Sequence, residues 1–266
     1  MMTKAFALNG ASKVYIVGRR KEKLEDTAKR SPHGNVVPIV GDVTSKESLC
    51  QIAEQVKKET GYLNLVCLNS GIMPPPATAK SSEASVADFA KAMLEQKTED
   101  WADTWATNST AIYFATGAFL ELLDAGNKQG NCAGRKSQIL VTSSIAGYLR
   151  VPDSNVPYGA SKAAATHMVK NLSGTLVPYS IRVNAIAPGL FPSDLAAGLI
   201  AGGGASKQDP TEEGAFDKKF IPAERLGRTG DIVGTVLYMA SAAGAYLNGN
   251  ITVLDGGRIT QLPAVY

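Results

Sequence analysis

The sequence is short of several things, and each shortage removes a class of function. Its 266 residues contain no uninterrupted apolar run of the roughly eighteen residues that suggest a membrane-crossing helix, so no membrane span is expected. No basic stretch followed by an apolar one opens the chain, so no secretory signal is expected and the chain reads as cytoplasmic. Cysteine is scarce and odd in number: Cys50, Cys67 and Cys132 have no metal-ligand spacing, two of them sit in apolar surroundings as small core residues, and no metal site is expected. Histidine is scarcer still, with only His33 and His167 to serve as imidazole bases. A hydrolase built on a serine would have to recruit His167. Charge of one sign is missing too: the net charge is +3, dispersed along the chain, which gives no footprint for nucleic acid. What remains is an ordinary globular composition, 44% hydrophobic and 19% charged, long enough for one large α/β domain over residues 1–266.

Apolar, β-branched runs alternate with longer helical patterns. Strands are expected at 13–18, 36–40, 63–69, 138–143, 181–187 and 250–254, and helices at 22–29, 46–59, 85–94, 99–123, 158–176 and 229–241, with the tail of a further helix ending at Gly10. This alternation predicts βαβ units and a doubly wound Rossmann-type parallel sheet. The strands are nearly continuous apolar runs, as strands covered on both faces should be. Two segments look irregular, 73–82 and 191–220. Both follow strand C-termini, where open α/β sheets bind ligands, and 191–220 is expected to form a substrate-side loop.

Tyr158-Gly159-Ala160-Ser161-Lys162 opens a helical pattern, and residues four apart share a helix face. The phenol and the ammonium therefore reach the same volume. A cation held near a tyrosine lowers its pKa from about 10 and makes it a usable general acid or base. In a chain with nine tyrosines the spacing alone is weak, but its context is not. The strand ending in Ser143-Ser144 precedes it, and a serine there can donate to a substrate carbonyl. Asn108 lies mid-helix in apolar company, where an asparagine needs a partner. The second strand candidate of a Rossmann unit carries the residue that reads the cofactor ribose. Here the strand 13–18 ends in Arg19-Arg20-Lys21 with no carboxylate, which favours the 2′-phosphate of NADP.

From residue 1 to about residue 258 the sequence resembles the short-chain dehydrogenase/reductase family. Tyr158 and Lys162 match its Tyr-x-x-x-Lys signature, Ser144 its catalytic serine before x-x-Gly, and Asn108 the asparagine of its long helix. Asn69-Ser70-Gly71 matches Asn-Ala-Gly, with Leu68 where Asn is usual. Asp42-Val43 matches the segment that contacts adenine. Pro188-Gly189 followed by Ser193 matches the stretch that holds the nicotinamide carboxamide, with Phe191 inside it, and Asp255-Gly256-Gly257 matches the closing motif. The resemblance implies that Tyr158 exchanges the proton, Lys162 lowers its pKa and holds the nicotinamide ribose, Ser144 orients the carbonyl and Asn108 holds a water. It implies cofactor contacts from Arg19, Asp42, Val43, Asn69, Tyr158, Lys162, Gly189, Phe191 and Ser193. The reaction implied is NADPH-dependent reduction of a ketone or aldehyde, or its reverse, on a small molecule of fungal-type secondary metabolism, by a homodimer or homotetramer. Residues 186–193 and 246–249 carry the likeness to fungal secondary-metabolite reductases.

The family opens with a strand and then Thr-Gly-x-x-x-Gly-x-Gly, and nothing here matches; the expected sheet lacks the first strand and the phosphate-binding loop. In the order 3-2-1-4-5-6 that strand is central, so a slot is expected beside Val14–Val17 and Leu65–Leu68. Each unpaired buried polar group costs about 1–3 kcal/mol against a total stability of about 5–15 kcal/mol. Destabilisation and weak NADP binding are therefore expected. Two accounts fit: a start placed downstream of that of a longer active enzyme, or a truncated, cofactor-deficient partner of a full-length homologue.

Overall fold

A computed structural model describes residues 1–265. The chain runs α1 (Met2–Leu8), β1 (Val14–Gly18), α2 (Lys21–Lys29), β2 (Val36–Val40), α3 (Lys46–Glu59), β3 (Leu65–Leu68), α4 (Val86–Leu94), α5 (Thr98–Trp105), α6 (Ala111–Gln129), β4 (Gln138–Thr142), α7 (Val156–Thr175), β5 (Arg182–Pro188), α8 (Ala197–Gly202), α9 (Thr229–Ala240) and β6 (Ile251–Leu254). The alternation read from the sequence is thus the alternation of the structure, a Rossmann-like α/β fold. All pairings between named strands are parallel. β1 pairs with β2 from Val14↔Val36 to Gly18↔Val40, and β3-β4-β5-β6 form a second ladder.

Two apolar layers hold the fold. On one face Leu49, Ile52 and Val56 of α3, Ile112, Phe119 and Leu123 of α6, and Val169 and Leu172 of α7 pack against Ile139, Val141 and Val183. On the other, Ala5 of α1 and Ile232, Val236 and Met239 of α9 pack on Leu140 and Ile186. β4 and β5 are covered on both sides, which is why their sequences do not alternate.

Three expectations change. The helix expected over 99–123 is not continuous: α5 and α6 are joined through a π-helical turn, Ala106–Thr110, which carries Asn108. The segment 191–220 is partly built. It contains α8, and its Phe216 joins Ile221 and Leu226 in a small core of its own. Of the cysteines, Cys50 is exposed and none is paired; burial pushes the Cys67 thiol up to about 12, which makes it inert. The expected slot is present: no ladder joins β1 to β3. Among the described residues no helix is long and apolar enough to cross a membrane.

Candidate active site

The site lies at the C-terminal ends of β3, β4 and β5, and each side chain is held there by a local device. Asn155 caps α7: its Oδ1 accepts from the Tyr158 N–H at 3.2 Å and its Nδ2 donates to the Pro74 carbonyl at 2.6 Å. The cap fixes where the helix begins, and so where Tyr158 and Lys162 point. The Lys162 ammonium lies 5.8 Å from the centre of the Tyr158 ring and donates to the Thr142 carbonyl at 2.9 Å. Ser144 follows β4 and caps a short 3-10 turn, Ile145–Tyr148, its Oγ accepting from the Ala146 N–H at 3.1 Å. That turn sits against α7 at Gly147, where a Cβ would come within 2.8 Å of the Ala163 nitrogen. Ser143, the neighbouring serine, faces inward and spends its hydroxyl on the Lys162 carbonyl and Thr166.

Asn108 is 1% exposed, and the π turn gives its amide a full set of partners. Oδ1 accepts from the Ile72 N–H at 2.8 Å, while Nδ2 donates to the Ile72 carbonyl at 2.9 Å and to Ser161 Oγ at 3.0 Å. Both amide hydrogens are committed, so only Oδ1 has capacity left. Gly71 passes between it and the lysine: a Cβ there would lie 3.3 Å from Lys162 Nζ and 3.4 Å from Asn108 Oδ1. Ile72, Thr142 and Asn155 are site residues that the sequence reading did not single out, whereas Gly71 was part of the Asn69-Ser70-Gly71 match. Ile72 and Thr142 act through backbone groups, which leave no mark on residue type, and Asn155 acts as a cap, which a sequence shows only once the helix start is known.

The electrostatics differ from the expectation in one respect. Burial raises the Tyr158 phenol above its ordinary value, partly offset by hydrogen bonding with Ser144. Burial also brings Lys162 down from 10.5 to about 8. Both charged forms are disfavoured in the same dry pocket, and desolvation outweighs the mutual stabilisation that the spacing suggested. In this structure the phenol is held protonated and the lysine is the group moved toward neutrality.

Asn69, Asn108, Ser144, Tyr158, Lys162, Gly189, Phe191, Ser193 and Val43 all line one cavity of about 1130 Å³. Gly189 passes so close to Asp255 that a Cβ would meet its Cβ at 2.6 Å. Asn69 Oδ1 accepts from Thr142 Oγ1 at 2.9 Å. Phe191 packs with the core around Ile186 and also lines the cavity. Arg19 and Asp42 stand outside the cavity wall, after β1 and β2. Thr44 binds Asp42 through its hydroxyl and its N–H, and these bonds, with the charge of Arg19, hold the carboxyl below its usual range. Thr44 thus supplies Asp42 with partners and leaves the exposed Arg19 guanidinium free. His167 is exposed on α7 and does not line the cavity that Ser144 lines, so no histidine base stands on that wall for a hydrolase to use.

A family model described as enoyl-(acyl carrier protein) reductase matches residues 1–258. This chain belongs to the short-chain dehydrogenase/reductase family. The short-chain dehydrogenase/reductase PhomF′ of Diaporthe leptostromiformis is 42% identical over 267 residues, covering 100% of this chain and 89% of the relative. The short-chain dehydrogenase/reductase SAT3 of Stachybotrys chartarum is 41% identical over 278 residues, covering 100% of both. Among solved structures, the Pseudomonas aeruginosa RhlG/NADP active-site complex superposes with a TM-score of 0.76 at 27% identity, covering 97% of this chain and 91% of that one. This short-chain dehydrogenase/reductase is therefore an oxidoreductase by family, with fungal relatives.

Proposed function

We propose that the chain is an NADPH-dependent reductase that converts a small-molecule ketone or aldehyde to an alcohol, or runs the reverse oxidation, in fungal-type secondary metabolism. The observation that carries the proposal is the convergence of Ser144, Tyr158 and Lys162 on one cavity wall, with Asn108 locked behind them. The residues present fit the nicotinamide end of the cofactor. Gly71 and Gly189 are cradles that a Cβ would fill, and Lys162 has donors to spare beyond its single bond to Thr142. Lys162 and Tyr158 would hold the nicotinamide ribose; Asn69, Gly189, Phe191 and Ser193 would line the ring site; Arg19 would meet the 2′-phosphate, with Asp42 and Val43 beside the adenine. The cofactor supplies the hydride to the carbonyl carbon, or accepts it in the reverse direction.

Ser144 Oγ donates to the substrate oxygen and stabilises the charge that grows on it. Tyr158, held protonated by burial, gives that oxygen its proton. The Lys162 ammonium favours the phenolate left behind. In reductase assays with NADPH and a panel of ketones, Tyr158→Phe is expected to lose roughly 10²–10⁴-fold in kcat, with an unchanged circular dichroism spectrum. Retention of most of the activity would overturn the role of the phenol. Arg19→Glu is expected to raise the KM for NADPH roughly 10–100-fold, the worth of about 1.5–3 kcal/mol for charged hydrogen bonds, and to leave NADH unharmed. Equal losses with both cofactors would count against NADP selection at Arg19.

A further inference from the structure

The loop between Ser144 and Tyr158 is pinned by segments remote in the chain. Residues 149–155 lead from the Ser144 turn to the start of α7, so they set where Tyr158 stands relative to Ser144. The C-terminal tail holds the start of this loop: the Arg150 N–H donates to the Pro263 carbonyl at 2.7 Å, and the Val265 N–H to the Tyr148 carbonyl at 2.8 Å. The end of the loop grips the segment that follows β3. Asn155 Nδ2 donates to the Pro74 carbonyl at 2.6 Å. The Asp153 carboxylate accepts twice from Ser81, from its N–H at 2.9 Å and from its hydroxyl at 3.0 Å. Pro75 and Pro76 lie between the two grips, and their fixed φ stiffens the chain. Residues 74–81 therefore form a strap fastened at both ends to one loop. Asp153 has a φ of +54°, in the left-handed region that glycine enters freely. Backbone preference alone would be met better by glycine, so the carboxylate is what the position uses. The two Ser81 bonds, with the charge of Lys80, hold that carboxyl below its usual range.

We propose that Asp153 is a positioning residue: by buckling the strap to the loop before α7 it steadies the Asn155 cap, and through that cap the place of the Tyr158 phenol beside Ser144. The path is short. Asn155 spends one end of its amide on the Tyr158 N–H at 3.2 Å and the other on the Pro74 carbonyl. The chain enters the strap from Ile72, whose N–H and carbonyl both meet Asn108, so the near end is fixed independently. The far end is held by Asp153. Asp153 is exposed and does not line the cavity, so it acts on the site only through Tyr158. Its effect on rate presupposes the reductase reading; its effect on the position of Tyr158 does not.

The test compares two substitutions at one position in the full chain. Asp153→Gly removes the carboxylate and suits the left-handed backbone, so Tm should not fall. Amide exchange should speed about tenfold at Ser81 and at Tyr158, because both N–H groups lose a steady acceptor. With NADPH and a reducible ketone, kcat should fall about tenfold, inside the roughly 10²-fold that a 1 Å misplacement costs, while the KM for NADPH stays parental. Asp153→Asn keeps an acceptor for the Ser81 N–H and offers its hydroxyl a donor, so exchange and kcat should return to the parental values. Ser81→Ala should lower kcat less than Asp153→Gly and add nothing to it in combination, since both act on one contact. A fall in Tm with Asp153→Gly, parental exchange at Tyr158 in that variant, or an asparagine variant as impaired as the glycine one would each overturn the proposal. A parent chain that reduces no ketone would overturn the reductase reading instead, and exchange at Tyr158 would still decide the role of Asp153.

Discussion

At the residue scale, Lys162 is where sequence and environment pull apart. The Tyr-x-x-x-Lys spacing was legible because helix geometry fixes which side chains meet. The direction of the pKa shifts was not, because desolvation depends on what covers the pair. Lys162 is brought from 10.5 to about 8. Between about 8 and the unfolded value the unfolded chain binds more protons, so stability rises with pH across that window. Below about 8 the full cost of burying the ammonium is present, on the order of 3 kcal/mol at 1.36 kcal/mol per pKa unit. Lys162→Met loses the bond to Thr142, worth about 1 kcal/mol, and removes the buried charge. It is expected to melt above the parent near neutral pH, with the difference shrinking toward about pH 10 and reductase activity lost at both. A difference in Tm that did not vary with pH would show that burial of the charge is not what sets this lysine's energy.

At the element scale, the sequence reading located the elements but missed their junctions. The patterns at 46–59 and 36–40 coincide with α3 and β2, since periodicity and β-branching act locally. The π turn at Ala106–Thr110 escaped because it follows from Asn108 reaching Ile72 and Ser161, partners 36 and 53 residues away in sequence. Gly147 shows the same dependence on distant structure. Its neighbours across the contact are backbone atoms of Lys162 and Ala163, which cannot move aside as a flexible side chain would. Gly147→Ala should therefore push the serine turn off α7. The expected cost is about 1–3 kcal/mol of stability by denaturant titration, the usual price of overpacking. A larger fractional loss should appear in kcat than in KM, because Ser144 and Tyr158 lose their mutual placement. An alanine variant with parental stability and kcat would show that the turn has room to shift.

At the scale of the whole molecule, the sheet is two ladders, and they should not be equally stable. β4 and β5 are buried between α6, α7 and α9 with β3 and β6 half-buried beside them, whereas β1 and β2 form a two-stranded ribbon with one wall facing the slot. Two-stranded sheets are marginal alone. Native-state hydrogen exchange should show the β1–β2 amides opening at a lower free energy than those of β4 and β5, as a separate cooperative unit. A single shared opening energy would mean that the helices tie the ladders into one unit. The sequence by itself determined the fold class and the family, and singled out Ser144, Tyr158, Lys162 and Asn108 for the proposed chemistry, because these follow from local periodicity and from spacing along single elements. It also placed the slot beside β1 and β3, since strand order in such sheets is nearly invariant. Only the tertiary structure decided that Arg19 stands apart from the cavity, that His167 faces solvent, that Asn108 spends both amide hydrogens inward, and that burial governs the Tyr158–Lys162 pair. Those outcomes are set by what surrounds each group in three dimensions, and residues far apart in the chain supply those surroundings.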